Sequence, residues 1–114
     1  MTRELIVTTS DKKKVFRAVN QGAYQLKDFP GLEINVTDII QIESQRKETG
    51  EEAVNTVLIA DNGEAYTTLS PTVDDSIHNL VGIFGAPTPE EPIRVRLCEG
   101  KSNAGRAFLY LDIV

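Results

Sequence analysis

The chain of 114 residues has no tryptophan, one cysteine and one histidine. A lone Cys98 excludes an internal disulfide framework and a cysteine-rich zinc site, and it suits a reducing compartment. No apolar run approaches the roughly twenty residues of a membrane helix, and the N-terminus lacks the apolar core of a secretory signal. We therefore expect a cytoplasmic protein with one domain over residues 1–114, of which residues 1–13 form a flexible N-terminal segment.

Catalytic residue patterns are also scarce. His78 falls inside an amphipathic segment, where a surface or partly buried histidine is more common than a catalytic base or a ligand. The sequence lacks a glycine-rich phosphate loop, a nucleophile elbow and a paired metal-ligand pattern. We predict a protein that is not an enzyme, with no catalytic residues, no metal and no cofactor.

Basic residues are fewer than acidic ones, 12 against 17, which gives a net charge of −5. This balance argues against nucleic-acid binding over the whole surface, but a binding site needs only local positive potential. Acidic residues concentrate in one loop at residues 48–52, at a helix start at residues 74–75 and in a linker at residues 90–91. A nucleic-acid site remains possible, with modest and salt-sensitive affinity.

Residues 93–113 separate by residue type into two alternating faces, as in a β-hairpin. One face is apolar. The other face carries guanidiniums and aromatic rings: Arg94, Arg96, Arg106, Phe108 and Tyr110. Between the arms lies a polar loop at residues 99–105 with two glycines, of a length that projects from a sheet. Such loops often bind ligands, although exposed arginines on a sheet face are also ordinary solvated charges.

The rest of the chain predicts further strands and one helix. Residues 15–19 suggest a short strand, residues 20–31 are irregular, and residues 32–44 alternate as a long, bent strand. Strands at 54–60 and 64–69 flank an Asp-Asn-Gly turn. Ser70 caps a helix that begins at Pro71 and ends at Gly85.

This order favours a mainly β fold, the OB-fold. That fold is a five-stranded Greek-key barrel with one helix between strands 3 and 4, preceded here by an N-terminal extension. Its usual ligand loops correspond to residues 46–52 and 99–105. A mixed α+β sandwich of the same elements stays open, because element order does not fix strand pairing.

Four stretches carry a resemblance to a known family: Lys14-Val15-Phe16-Arg17-Ala18, Ile59-Ala60-Asp61-Asn62-Gly63-Glu64-Ala65-Tyr66, Leu69-Ser70-Pro71-Thr72-Val73, and Gly100-Lys101-Ser102-Asn103-Ala104-Gly105-Arg106-Ala107-Phe108. In this order the chain resembles, over about residues 12–113, the single-stranded-DNA-binding proteins of phi-29-type phages, which are protein-primed and short-tailed.

The resemblance implies sequence-independent coating of displaced single strands during phage DNA replication, in the host cytoplasm, without chemistry. It also implies that single-stranded DNA is the main partner, beside other phage replication proteins. The protein would be a monomer or would associate weakly along the DNA. Tyr66 and Phe108 fall on aromatic positions of the family, whereas Ile42 stands where the family has a tyrosine.

Base stacking on aromatic rings and phosphate contacts from cations are the means by which such proteins bind. The stacking candidates are Tyr66, Phe108, Tyr110 and Tyr24. The phosphate-binding candidates are Arg46, Lys47, Arg94, Arg96, Lys101 and Arg106. Three of the aromatic candidates have an alternative interpretation: Tyr66 as a half-buried residue, Phe108 as a ring covered by the N-terminal segment, and Tyr24 as a residue that only anchors its loop.

Phe16, Phe29 and Phe84 are assigned to the core. An alternative function also remains, a protein-binding adaptor that uses the sheet edge and binds no nucleic acid. Oligo-dT distinguishes the two functions, because stacking quenches tyrosine emission and an adaptor leaves it unchanged.

Overall fold

The computed structural model describes residues 5–20, 23–46 and 48–114. In chain order the elements are helix α1 (Lys12–Asn20), strand β1 (Tyr24–Gln25), a 3-10 turn (Leu26–Asp28), strands β2 (Glu33–Gln45), β3 (Glu52–Ala60) and β4 (Ala65–Thr68), helix α2 (Pro71–Phe84), and strands β5 (Ile93–Lys101) and β6 (Ala107–Ile113). The described strands form one sheet in the order β1-β4-β3-β2-β5-β6. Among these described strands, only β1 and β4 pair in parallel.

The long strand, the turn hairpin, the helix after Ser70 and the closing hairpin are confirmed. Gly63 has a φ of 86°, as the turn requires. At the start of α2, the Ser70 hydroxyl accepts a hydrogen bond from the backbone N–H of Val73 at 3.3 Å. At its end, Gly85 has a φ of 82°. The sheet has six strands instead of the expected five, because the short β1 lies beside β4.

The strand predicted at residues 15–19 is wrong, since these residues belong to α1. The Asp11 carboxylate accepts hydrogen bonds from the backbone N–H groups of Lys13 and Lys14 at 3.0 and 3.3 Å, and so caps the helix. Val15, Ala18 and Val19 follow the helical spacing of one apolar face. They pack against a small cluster on the sheet: Ile40, Val57 and Ile59.

The middle parts of strands β2 and β3 are buried on both faces, because a helix covers each face. The inner face holds the main core between the sheet and α2, with Ile39 and Leu58 packed near Val73 and Ile77. The outer face holds the small cluster beneath α1. Strands buried on both sides show continuous apolar runs rather than simple alternation, as at residues 57–60.

Strand β2 bends the sheet into a curled half-barrel. Its first part pairs with β5, up to the pair Val36 and Ile93, and the register with β3 shifts between Val36 and Asp38. Beyond this bulge the N-terminal segment lies against β2, since the Ile6 carbonyl accepts from the Gln41 N–H at 2.8 Å. Residues 1–4, part of the segment expected to be flexible, lie outside the described residues.

Helix α2 covers the free edge of β6 with two hydroxyl groups. The Thr72 hydroxyl donates to the Leu109 carbonyl. The Ser76 hydroxyl accepts from the Leu111 backbone N–H at 3.2 Å. These bonds occupy backbone groups that an uncovered edge strand would offer to another chain. Neither helix of the described ranges is long and apolar enough to span a membrane.

Candidate nucleic-acid interface

Phe108 and Tyr110 are neighbours on the outer face of β6, as the alternation predicts. Their ring centroids are 5.9 Å apart and the rings are tilted by 41°. On β5 the residues opposite them are small, Gly100 opposite Phe108 and Cys98 opposite Tyr110. Tyr110 is 36% exposed and Phe108 is half-buried. The pair offers aromatic surface to a ligand at the sheet face.

A groove of about 670 Å³ adjoins Phe108. We call it the hairpin groove; Lys27, Pro71, Thr72, Arg106 and Phe108 are among its lining residues. It lies between the end of the β5–β6 hairpin and the beginning of α2. Two cations and a ring therefore line this groove, while Glu99 adds one carboxylate to it.

Arg46 contacts the rim of this groove from the β2–β3 connection. Its Nη2 donates to the Leu69 carbonyl at 3.1 Å, and Leu69 directly precedes Ser70, a lining residue. The bond to Leu69 uses one N–H of the Arg46 guanidinium, which has further N–H groups that can donate to a ligand. Lys47, the other predicted cation of this loop, lies outside the described residues.

The hairpin loop is shorter than the sequence predicts. The β5–β6 ladder extends to the pair Lys101 and Ala107, so Glu99 and Gly100 belong to a strand and the loop comprises residues 102–106. Within it the Arg106 carbonyl accepts from the Ser102 N–H at 2.9 Å, and the Ser102 hydroxyl accepts from the Arg106 N–H at 3.2 Å. Lys101 and Arg106 are both exposed at this tightly bonded end.

Arg94 and Arg96 point outward on β5, as predicted, but share a carboxylate. The Nη2 of Arg96 lies 3.5 Å from the Glu33 Oε1, and that of Arg94 lies 4.0 Å from it. Arg94 also donates to the Asn35 Oδ1 at 3.3 Å. Glu33 therefore offsets part of the positive potential on this side of the face.

Tyr66 is only 5% exposed, so its ring face is not open to a base in this conformation. Its ring packs between Tyr24 and Phe29, with centroid distances of 5.8 and 5.5 Å. Tyr24 stands beside Tyr66 through the parallel pairing of β1 and β4 and is 48% exposed. Tyr24 is thus the accessible ring of this cluster, and the buried ring of Tyr66 packs against it.

The Tyr66 hydroxyl donates to the Glu64 Oε2 at 3.2 Å. Burial raises the pKa of this phenol above 10.0, and the hydrogen bond and negative charge of Glu64 raise the pKa further. The hydroxyl is therefore a neutral donor that fixes the ring, which suits a supporting role.

Of the three phenylalanines that the sequence assigned to the core, one packs there and two are exposed. Phe29 packs against the main core, as predicted. For Phe16 and Phe84 the assignment is wrong, since they are 59% and 58% exposed. Lys27 is a residue that the site prediction missed, although it follows Tyr24 by three positions in a segment rich in turn formers. Because this segment shows no regular hydrophobic period, its sequence does not predict that Lys27 lies beside the β5–β6 hairpin.

Comparison with known proteins gives a consistent result. The sequence model of a family described as phage single-stranded DNA-binding protein matches residues 5–114. A single-stranded DNA-binding protein of Bacillus phage PZA is 29% identical over 110 residues, covering 93% of this chain and 87% of the relative. The protein of the same description from Bacillus phage phi29 is 26% identical with the same coverage. No solved structure matches.

Proposed function

Because the chain belongs to the family of phage single-stranded DNA-binding proteins, we propose that it coats displaced strands during phage DNA replication, in the host cytoplasm. Proteins of this family bind DNA and are not enzymes. Binding is independent of base sequence, because aromatic faces and cations read no base edge. The bound strand is held, and none of its bonds is changed.

This proposal rests on one observation: Phe108 and Tyr110 lie next to each other beside the hairpin groove. The two rings lie 5.9 Å apart on a half-exposed face, and Phe108 also lines a groove with Lys27 and Arg106. Bases stack on the rings while the cations contact phosphates. Lys101 and the guanidinium of Arg46 extend the positive rim on either side.

Tyr24 provides a third stacking position in our proposal. Its exposed ring packs on the ring of Tyr66, and Lys27 follows Tyr24 by three positions in the same segment. A strand that leaves the hairpin groove past Lys27 therefore reaches Tyr24 next. Tyr66 packs against the Tyr24 ring, holds that ring in place and does not itself contact a base.

We propose further that the domain formed by the whole chain is an OB-fold. Without β1, the sheet order β4-β3-β2-β5-β6 is the order 3-2-1-4-5 of barrel strands, and α2 lies between the third and fourth of them. The open side lies between β4 and β6, where the hydroxyls of α2 cover the β6 edge. The two ligand loops of that fold are then residues 46–51 and 102–106.

Fluorescence anisotropy with labelled oligo-dT and a duplex of matched length, each at two salt concentrations, tests the proposal. We expect preferential binding of the single strand and weaker binding at higher salt. Tyr110→Ala should weaken oligo-dT binding by about five-fold or more, because one stacked base contributes about 1–3 kcal/mol. Phe84→Ala removes a more exposed ring, at the end of α2, and is the control.

Two outcomes would contradict the proposal. One is equal or tighter binding of the duplex. The other is unchanged oligo-dT affinity for both Tyr110→Ala and Phe108→Ala. A protein adaptor would bind neither DNA, and its tyrosine emission would not change when oligo-dT is added.

A further inference from the structure

The outer face of α1 combines an exposed aromatic ring with cations. Lys12, Lys13, Phe16 and Arg17 line one shallow hollow on this helix, opposite the residues that pack on the sheet. Phe16 is 59% exposed. Within the described ranges none of these three cations forms an ion pair with a carboxylate. A ring among unpaired cations is the chemistry by which single strands are bound without sequence preference.

Arg17 connects this hollow to the surface around Tyr24. It also lines a groove of about 570 Å³ between α1 and the β3–β4 hairpin, and Tyr24 lines the same groove. Phe16 lines the hollow and Tyr24 lines the groove, and the Arg17 guanidinium lines both. A strand stacked on Tyr24 therefore has a route over the Arg17 guanidinium to Phe16.

The charges in that groove decide on which side the phosphates lie. Asp61 and Glu64 line its sheet side. Lys14, on the helix side, is held by Asp38 through a contact of 2.5 Å between Nζ and Oδ2. The unpaired positive charge is therefore on the outward face of α1, from Arg17 to Lys12, and phosphates are favoured there and not over the carboxylates.

We propose that α1 forms a second contact surface for the same DNA strand. On this surface Phe16 stacks one base, and Lys12, Lys13 and Arg17 contact phosphates. This inference rests on the proposed function and extends its path, from the hairpin groove past Tyr24 to the N-terminal helix. The helix thereby lengthens the stretch of strand that one protein molecule covers.

Single-tryptophan variants test this surface directly, because the natural chain contains no tryptophan. Phe16→Trp and Phe84→Trp place the indole at positions of nearly equal exposure, 59% and 58%, on two different helices. Titration with oligo-dT of about 16 nucleotides should quench the emission of the Phe16→Trp protein and leave that of the Phe84→Trp protein unchanged. Equal quenching at both positions, or none at position 16, would overturn the inference.

A second measurement uses affinity alone. Phe16→Ala should weaken binding of the same oligonucleotide by about five-fold, the effect of losing about 1 kcal/mol of stacking, whereas Phe84→Ala should not weaken it. If the natural protein binds oligo-dT and Phe16→Ala binds equally well, only the role of α1 fails. If the natural protein binds no oligo-dT, the proposed function itself fails.

Discussion

Phe108 lies across the β5–β6 ladder from Gly100, and the far end of its ring covers that glycine. A Cβ at residue 100 would stand 2.6 Å from the Cζ of Phe108, which is closer than two carbons approach without displacement. An aromatic ring over a strand glycine compensates for the missing side chain. Gly100 therefore determines where the Phe108 ring lies, next to Tyr110 and the hairpin groove.

Gly100→Ala should move the Phe108 ring and lower oligo-dT affinity several-fold, with little loss of stability. The ring can swing toward solvent, and alanine fits a strand better than glycine does, so the free energy of unfolding should change by less than about 1 kcal/mol. Urea unfolding and anisotropy measure the two quantities. Gly82→Ala, in α2 with no atom within 4 Å of the new methyl, is the control and should not alter affinity. A large loss of stability without loss of affinity would contradict this account.

Ser76→Ala should destabilise the protein by about 1–3 kcal/mol, the range for leaving a partly buried backbone N–H without a partner. The group concerned is the Leu111 N–H, which donates to Ser76 at 3.2 Å on the edge of β6. Urea unfolding checks the value. Asn79→Ala, on the exposed side of the same helix, controls for helix propensity and should not destabilise. If both variants are equally stable, the edge contact contributes nothing measurable.

Alternation predicted the closing hairpin well because one face of β5 and β6 is buried and the other is exposed. The same reasoning failed for α1. Val15 and Val19 satisfy a period of two as well as helical spacing, and Ala18 is too small to decide between them. The helix is favoured because these residues pack on the cluster of β2 and β3, whose members are distant from α1 in sequence. The continuous apolar run at 57–60 was the available signal that a second layer covers the sheet.

The sequence pattern also predicts the proposed stacking positions only in part. Phe108 and Tyr110 follow from the pattern of one strand. The relation of Tyr24 to Tyr66 does not, because β1 has only two residues and pairs in parallel with a strand about forty positions away. Without that pairing nothing in the local pattern shows that Tyr24 covers Tyr66. The position of Lys27 beside the hairpin does not follow from the local pattern for the same non-local reason.

Arg106→Gln should reduce the salt dependence of binding more than Arg96→Gln does. Each phosphate neutralised on a single strand contributes about −0.7 to the slope of log K against log salt concentration. Arg106 is exposed in the hairpin groove, whereas Arg96 already lies 3.5 Å from the Glu33 carboxylate. Anisotropy titrations at several salt concentrations give both slopes. Equal slope changes would mean that Glu33 releases Arg96 when DNA binds.

Tyr66→Phe should flatten the alkaline part of the stability profile. In the folded protein the pKa of Tyr66 is raised above 10.0, first by burial and then by Glu64, so the unfolded chain loses this proton at lower pH than the folded one. The stabilising difference is complete below pH 10 and is lost as pH rises through the folded-state pKa. Urea unfolding of the natural protein should therefore show a steeper fall in stability above about pH 10 than unfolding of Tyr66→Phe. Glu64→Gln should give an intermediate slope, because burial remains when the carboxylate is removed; parallel profiles for all three proteins would show that Tyr66 ionises alike in the folded and unfolded states.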